Sequence, residues 1–307
     1  MLILAKIAPV LLVLLSGYFL RKKNLLTREG NDAMKNLVTT FLLPVVLFHA
    51  LATVHYTGKT LLIILALMAC ELTGLGIGFL LRGRMGKYGR LLPFFLSSFE
   101  GGMIGYPLYG ILCGEENLGN IATIDIANTI FTFTLFLALL MATVSGTFTT
   151  KAMVSNIAHS TVFWGVFLGI VLGATGLMAR FLGTGAGTVY LSVKDMVTSP
   201  VSCLIILVVG YDLQLDRQML KECFRPVLLR MAVMTLLLCA LLLVMRRTFS
   251  QREMRMALIL YLFMPPTYVV SAYTKERDDA AFVSTATSLY TLISIAVFVI
   301  LNIVFVR

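Results

Sequence analysis

Two stretches of this chain set backbone breaks beside polar side chains inside otherwise apolar sequence. The first is Glu100-Gly101-Gly102-Met103-Ile104-Gly105-Tyr106-Pro107, and the second is Met264-Pro265-Pro266-Thr267. A proline in a helix interior removes one N–H and leaves the carbonyl four residues earlier without its partner. That predicts orphan carbonyls at Met103, Tyr261 and Leu262, and Gly101, Gly102 and Gly105 weaken the first helix further. Such breaks survive at membrane depth only when buried in protein or lining a wet cavity. Each stretch therefore reads as two half-helices, with Pro107 and Pro266 suited to the first position of the second half. Paired free N–H groups and positive dipole ends at mid-membrane favour an anion. The bland alternative is a pair of simple proline kinks.

Acids at depth are the next candidates. Glu100 is expected near the negative, C-terminal end of the first half-helix. There, burial and dipole both disfavour its ionised form, so a protonated or cation-bound carboxyl could couple an anion to H⁺. The structural alternative is a neutral, hydrogen-bonded carboxyl. Asp125 and Asn128 stand three apart on one helix face and could meet the breaks from the side, although Asp125 could equally serve a helix start. Glu71 is a further intramembrane acid open to H⁺ or a cation, and Thr267 offers a hydroxyl to a solute. Lys194 and Asp195, as neighbours, point to different sides and are expected to pair elsewhere. Asp212 and Arg230 are expected near span ends, reaching to the interface.

Other chemistries find little support. His49, His55 and His159 are scattered, and Cys70, Cys113, Cys203, Cys223 and Cys239 form no CxxC pair, so neither a metal site nor a cofactor is expected. HExxH, GxSxG and GxGD-like pairs are absent from the sequence, which argues against an intramembrane enzyme. A receptor would need no doubly broken helices. A cation or Na⁺/H⁺ exchanger of similar architecture remains the main competitor, but the ninth-span break brings no acid, only Met264, Thr267 and Tyr268.

The elements that position these residues are membrane helices. Of 307 residues 59% are hydrophobic and 13% charged, and the mean hydropathy is +0.92. A water-soluble domain carries about a quarter charged residues. The apolar blocks have the length of a helical crossing, not of barrel strands. They are expected at Leu2–Leu20, Met34–Ala52, Thr60–Leu81, Leu92–Cys113, Ile121–Val144, Thr161–Phe181, Thr188–Leu213, Pro226–Met245, Met254–Tyr273 and Phe282–Val306, about ten spans in all. The first is expected to be a retained span, since no basic n-region or cleavage site accompanies it. The net charge of +10 arises from clusters between blocks, such as Arg21-Lys22-Lys23 and Arg82 to Arg90, so it reads as topology and not as nucleic-acid binding. The positive-inside rule then places the odd-numbered connections in the cytoplasm and both termini outside the plasma membrane, against the vote of Arg246, Arg247, Arg252 and Arg255.

Five spans per half force the second half into the opposite orientation. Residues 1–150 and 151–307 echo each other. Pro44 and Pro200 interrupt the second and seventh spans, and Pro107 and Pro265-Pro266 the fourth and ninth. Charged turns follow (Glu115-Glu116; Lys275 to Asp279), then spans rich in small and hydroxyl residues. The expected fold is an all-α polytopic membrane protein of two inverted five-helix repeats with broken crossing helices four and nine.

In the order and spacing of short motifs the chain resembles the auxin efflux carrier family, which groups bacterial permeases, including malonate and malate permeases, with plant PIN proteins. The motifs are Gly17 to Thr27, Leu43-Pro44, Gly102-x-x-Gly105-x-Pro107, Asp125-x-x-Asn128 and the double proline of the ninth span. The resemblance implies a scaffold of spans one, two, six and seven and a mobile unit of spans three to five and eight to ten. It also implies elevator-like movement of the crossing, carboxylate solutes, surrounding lipid and a homodimer through the scaffold. Many relatives carry Asn where this chain has Glu100.

Overall fold

A computed structural model of the protein describes residues 2–145, 150–274 and 276–305. Residues 146–149 of the fifth connection, Lys275 of the ninth and Val306 at the end of the last expected span lie outside the described residues. Every regular element among the described residues is helical.

The first helix, α1 (Leu2–Lys22), ends on basic residues that suit its negative terminus. Thr27 then caps α2 (Arg28–Leu37) by accepting from Gly30 N. A π turn at 38–42 leads into α3 (Leu43–Ala52), so that Pro44 enters at the first turn of a helix and not against an intact one. Thr57 and Thr60 form a reciprocal capping box for α4 (Gly58–Leu81). The fourth expected span is two pieces, α5 (Leu92–Ser97) and α6 (Tyr106–Cys113). Next come α7 (Leu118–Phe131) and α8 (Leu137–Ser145), joined by a second π turn at 132–136.

The connection between the fifth and sixth expected spans contains α9 (Thr150–His159). Ser160 caps α10 (Thr161–Ala174), left-handed Gly176 turns the chain into α11 (Leu177–Leu182), and α12 (Gly185–Thr198) and α13 (Val201–Asp212) meet at Ser199-Pro200. The remainder is α14 (Leu220–Val244), α15 (Arg252–Leu262), the short α16 (Val269–Tyr273) and α17 (Arg277–Phe305). Among the described residues, six continuous helical segments are long and apolar enough to cross a membrane: Arg28–Ala52, Gly58–Arg84, Glu115–Val144, Gly185–Asp212, Leu220–Val244 and Arg277–Phe305.

In lipid, helices gain little from burying apolar surface against each other, so they associate by close backbone approach at small residues. On α10, Gly165, Gly169 and Gly173 recur every four residues and lie against the α3 backbone; a Cβ on Gly169 would stand 2.8 Å from Phe48 O. On α13, Gly210 meets Leu14 O of α1, and Gly17 returns the contact at Leu207 O. The α3–α10 and α1–α13 pairs are thus in near backbone contact. Elsewhere α4 packs on α5 and α7, α14 on α5, α15 and α17, and α15 on α7.

Replacing Gly169 with Leu is expected to force α10 off α3 at a cost of about 1–3 kcal/mol. The measurement is the apparent melting temperature of the detergent-purified protein, which should fall. An unchanged value would show that the two helices do not pack this closely.

Candidate functional site

The two interrupted stretches meet in the interior. After α5 the backbone runs extended at Ser98 (φ −128°, ψ 156°) and reaches a π turn at 101–105 with Glu100 as its N-cap. After α15 the chain is irregular through Thr267. Glu100 N donates to Pro265 O at 2.8 Å, and Thr267 N donates to Ser98 Oγ at 3.3 Å, so each break supplies partners to the other. The gap in the fourth span does not fall at Pro107. The π turn absorbs the missing N–H there and lets Pro107 sit in the first turn of α6, as the sequence suggests. Pro266 differs from expectation: helix resumes only at Val269, capped by Tyr268, so this proline lies in the irregular stretch.

On the carbonyl side the main partner is Arg230 of α14, which is fully buried. Its Nη1 donates to Phe95 O, and its Nη2 donates to Ser98 O at 2.8 Å and Met264 O at 2.9 Å. One guanidinium thereby caps the C-terminal ends of both first half-helices, where the dipoles present negative charge. It also lies between the rings of Phe99 (5.1 Å) and Tyr290 (4.7 Å). The expectation that Arg230 reaches to the interface is overturned. It sits about three turns into a 25-residue helix, too deep for its side chain to regain water. Ser294 of α17 adds a hydrogen bond of 2.5 Å to Phe263 O.

On the amide side the partner is Glu100. Its Oε1 accepts from Met103 N at 3.1 Å, and its Oε2 accepts from Tyr268 N at 2.8 Å and Thr267 Oγ1 at 3.2 Å. A single carboxylate therefore takes N–H groups from the beginnings of both second halves. Its expected place at the negative end of the first half-helix is corrected. The helix already ends at Ser97, and three residues of non-helical chain carry Glu100 to the positive end of the next segment.

A second polar layer comes from α7. Asn128 accepts from Phe99 N (3.2 Å) and donates to Phe99 O (3.0 Å), pairing with the break as a strand neighbour would. It also donates to Asp125 Oδ1 at 3.3 Å, and Asp125 accepts from Tyr261 (2.5 Å) and Tyr106 (3.3 Å). Helix α7 begins at Leu118, about two turns before Asp125, so a helix-start role does not apply. Gly101, unmarked among the sequence candidates, is required here, because a Cβ would come within 2.5 Å of Asp125 Oδ1. Gly102 faces Leu43 and Gly105 faces Ile121, with less crowding. Glu71 of α4 is fully buried, and neither of its carboxyl oxygens has a hydrogen-bond partner among the described residues.

Two cavities approach the crossing from opposite ends. One of about 870 Å³ reaches Tyr268 and is bounded by Arg21, Arg28, Lys35 and Arg277, with Asp32 and Asp212 as its acids. Hydroxyls of α17 at Ser284, Thr287, Ser288 and Thr291 fall on one face toward it. The other, about 460 Å³, reaches Tyr106 and Pro107 and is bounded by Glu115, Glu116, His49 and Lys194. Asp212 is the last residue of α13, at the span end expected of it, where Lys35 (2.5 Å) and Asn31 (3.0 Å) hold it. Lys194 pairs with its own neighbour Asp195, contrary to the expected separate partners. His49 meets Tyr190 Oη at 3.1 Å.

Of the sequence candidates, Glu100, Thr267, Asp125, Asn128 and the glycines converge on the crossing, while Glu71 forms no hydrogen bond to it among the described residues. Arg230, Ser98 and Ser294 were missed. For Arg230 the available signal was an arginine flanked by apolar residues for more than a turn on both sides. Replacing Arg230 with Met is expected to destabilise the protein by about 3 kcal/mol or more, because three buried carbonyls lose their donor at about 1–3 kcal/mol each. Lys at this position should recover only part, since an ammonium lacks the fork that spans three carbonyls. Thermal unfolding of the purified variants checks the order wild type, Lys, Met.

A family model described as "Membrane transport protein" matches residues 2–306. No curated protein matches the chain. Apolar helices long enough to cross a bilayer, two breaks joined through buried charges, and an almost end-to-end match agree. The chain belongs to this family of membrane transport proteins, which includes the auxin efflux carriers.

Proposed function

We propose that the protein is a secondary transporter of a small organic anion, a carboxylate, carried at the crossing of the fourth and ninth spans by elevator-like alternating access. The observation that carries this reading is the coordination of Glu100: donors from both second half-helices already converge on a carboxylate. Half-helix N-termini at mid-membrane are suited to that charge. Cavities at both ends of the crossing suit access from either side, and the larger one has four cations to two acids.

The architecture in this proposal is ten spans in two inverted repeats, residues 1–150 and 151–307. Packing supports a division into a scaffold, where the glycine-mediated pairs α1–α13 and α3–α10 belong, and a mobile unit built from α4 to α8 and α14 to α17. The site residues are Gly102, Gly105, Pro107, Asp125, Asn128, Pro265, Pro266 and Thr267, with Glu100 and Glu71 as coupling groups for H⁺ or Na⁺. A plasma-membrane location with both termini outside, and a homodimer through the scaffold, complete the reading.

One observation favours the second reading, a cation or Na⁺/H⁺ exchanger. Glu71 is a buried carboxyl without a hydrogen-bond partner among the described residues, in a region shared with Asp125, and a dry carboxylate needs a proton or a cation. The test is thermal stabilisation of the detergent-purified protein by dicarboxylates, monocarboxylates, indole-3-acetate, Na⁺ and pH. A carboxylate at 100 times its Kd is expected to add about 2.7 kcal/mol, and Thr267→Val should weaken the shift. A response to Na⁺ or pH alone, indifferent to every carboxylate, would transfer support to the exchanger.

A further inference from the structure

The donors expected to receive a solute's carboxylate are occupied by the chain itself. Glu100 Oε2 holds Tyr268 N and Thr267 Oγ1, and Oε1 holds Met103 N. The residue is 8% exposed, and Tyr268, whose N–H is the shortest of the three donors, lines the larger cavity. A solute entering from that side therefore meets a site whose charge is already compensated.

We propose that Glu100 is a tethered stand-in for the solute's carboxylate, and that it yields the shared donors only on taking up a proton, so that one H⁺ is bound with each anion. This rests on the carrier reading above and deepens it. The exchange balances: a proton from the cavity water joins a Glu100 oxygen, the Tyr268 N–H and Thr267 O–H bonds pass from Glu100 Oε2 to the solute's carboxylate, and the new Glu100 O–H donates to that same carboxylate. Negative charge at the donors is one unit before and after. Without the proton two carboxylates would share one dry site, which like-charge repulsion opposes.

Among the described residues, no cation forms an ion pair or hydrogen bond with Glu100, and Arg21, Arg28, Lys35 and Arg277 bound the cavity that leads to it. Arg230 is committed to Phe95, Ser98 and Met264 carbonyls. The groups facing Glu100 from its packing elements are Tyr106 of α6, Asp125 of α7, Tyr261 of α15 and Tyr268 before α16. Farther out, α13 brings Asp212, which is engaged by Lys35, and α4 brings Glu71. All are acids or phenols, so none offers a positive charge to an incoming carboxylate.

The experiment is isothermal titration of the full-length, detergent-purified protein with malonate and with succinate near pH 7.5, where both probes are fully ionised, in buffers of different ionisation enthalpy. Wild type is expected to take up about one proton per anion, with affinity falling about tenfold per pH unit on the alkaline side. Glu100→Gln is expected to bind with no proton uptake and a flat pH profile. Glu100→Asn carries the same expectation, so misfolding of one variant does not decide the matter. Zero uptake by wild type, or equal uptake by wild type and the neutral variants, overturns the proposal and leaves the carrier reading standing. If wild type and both variants ignore the probes at every pH, the carrier reading falls and the proposal with it.

Discussion

Two helices that stop inside the protein leave carbonyls on one side of each gap and N–H groups on the other, largely buried from solvent. An unmet backbone group in hydrocarbon costs several kcal/mol, so the protein must supply partners from within. It does so with one residue of each charge. Arg230 collects the carbonyls of both first halves, and Glu100 collects the amides of both second halves. Each charge sits at the dipole end that suits it, which lets both be buried without pairing directly to each other.

The surrounding helices serve this arrangement. Helix α14 brings Arg230, α7 brings Asn128 to Phe99 and Asp125 to the two tyrosines, and α17 brings Ser294 to Phe263. Gly101 lets Asp125 come close, since any side chain there would collide with the carboxyl. The crossing is therefore held by side chains from the elements that enclose it, whereas the α1–α13 and α3–α10 pairs rely on backbone proximity at glycine. Side chains thus close the interior where the backbone is broken, and bare backbone packs where the helices are intact.

The gap in the fourth span shows how local chemistry is redirected by tertiary partners. From sequence, Pro107 marks the break and Met103 the orphan carbonyl. In the folded chain a π turn at 101–105 accommodates the proline, and the opening moves to Ser98–Glu100, where Asn128, Arg230 and Pro265 can satisfy the exposed groups. That move of a few residues carries Glu100 from the expected negative end of one helix to the positive end of the next. It reverses the sign of the local field on a carboxylate whose burial was anticipated.

Composition and hydropathy alone determined that this is a helical membrane protein, because the lipid core admits few other ways to satisfy a backbone. Proline and glycine alone determined that the chain is interrupted at 100–107 and 264–267, because a missing N–H is a local fact. Which groups close those interruptions was decided only by tertiary structure. Arg230 and Phe95 are 135 residues apart, as are Thr267 and Glu100 by 167 and Tyr261 and Asp125 by 136. Nothing in a local pattern reports such pairs, since the free energy of a buried charge depends on whatever packs around it and not on its neighbours in the chain.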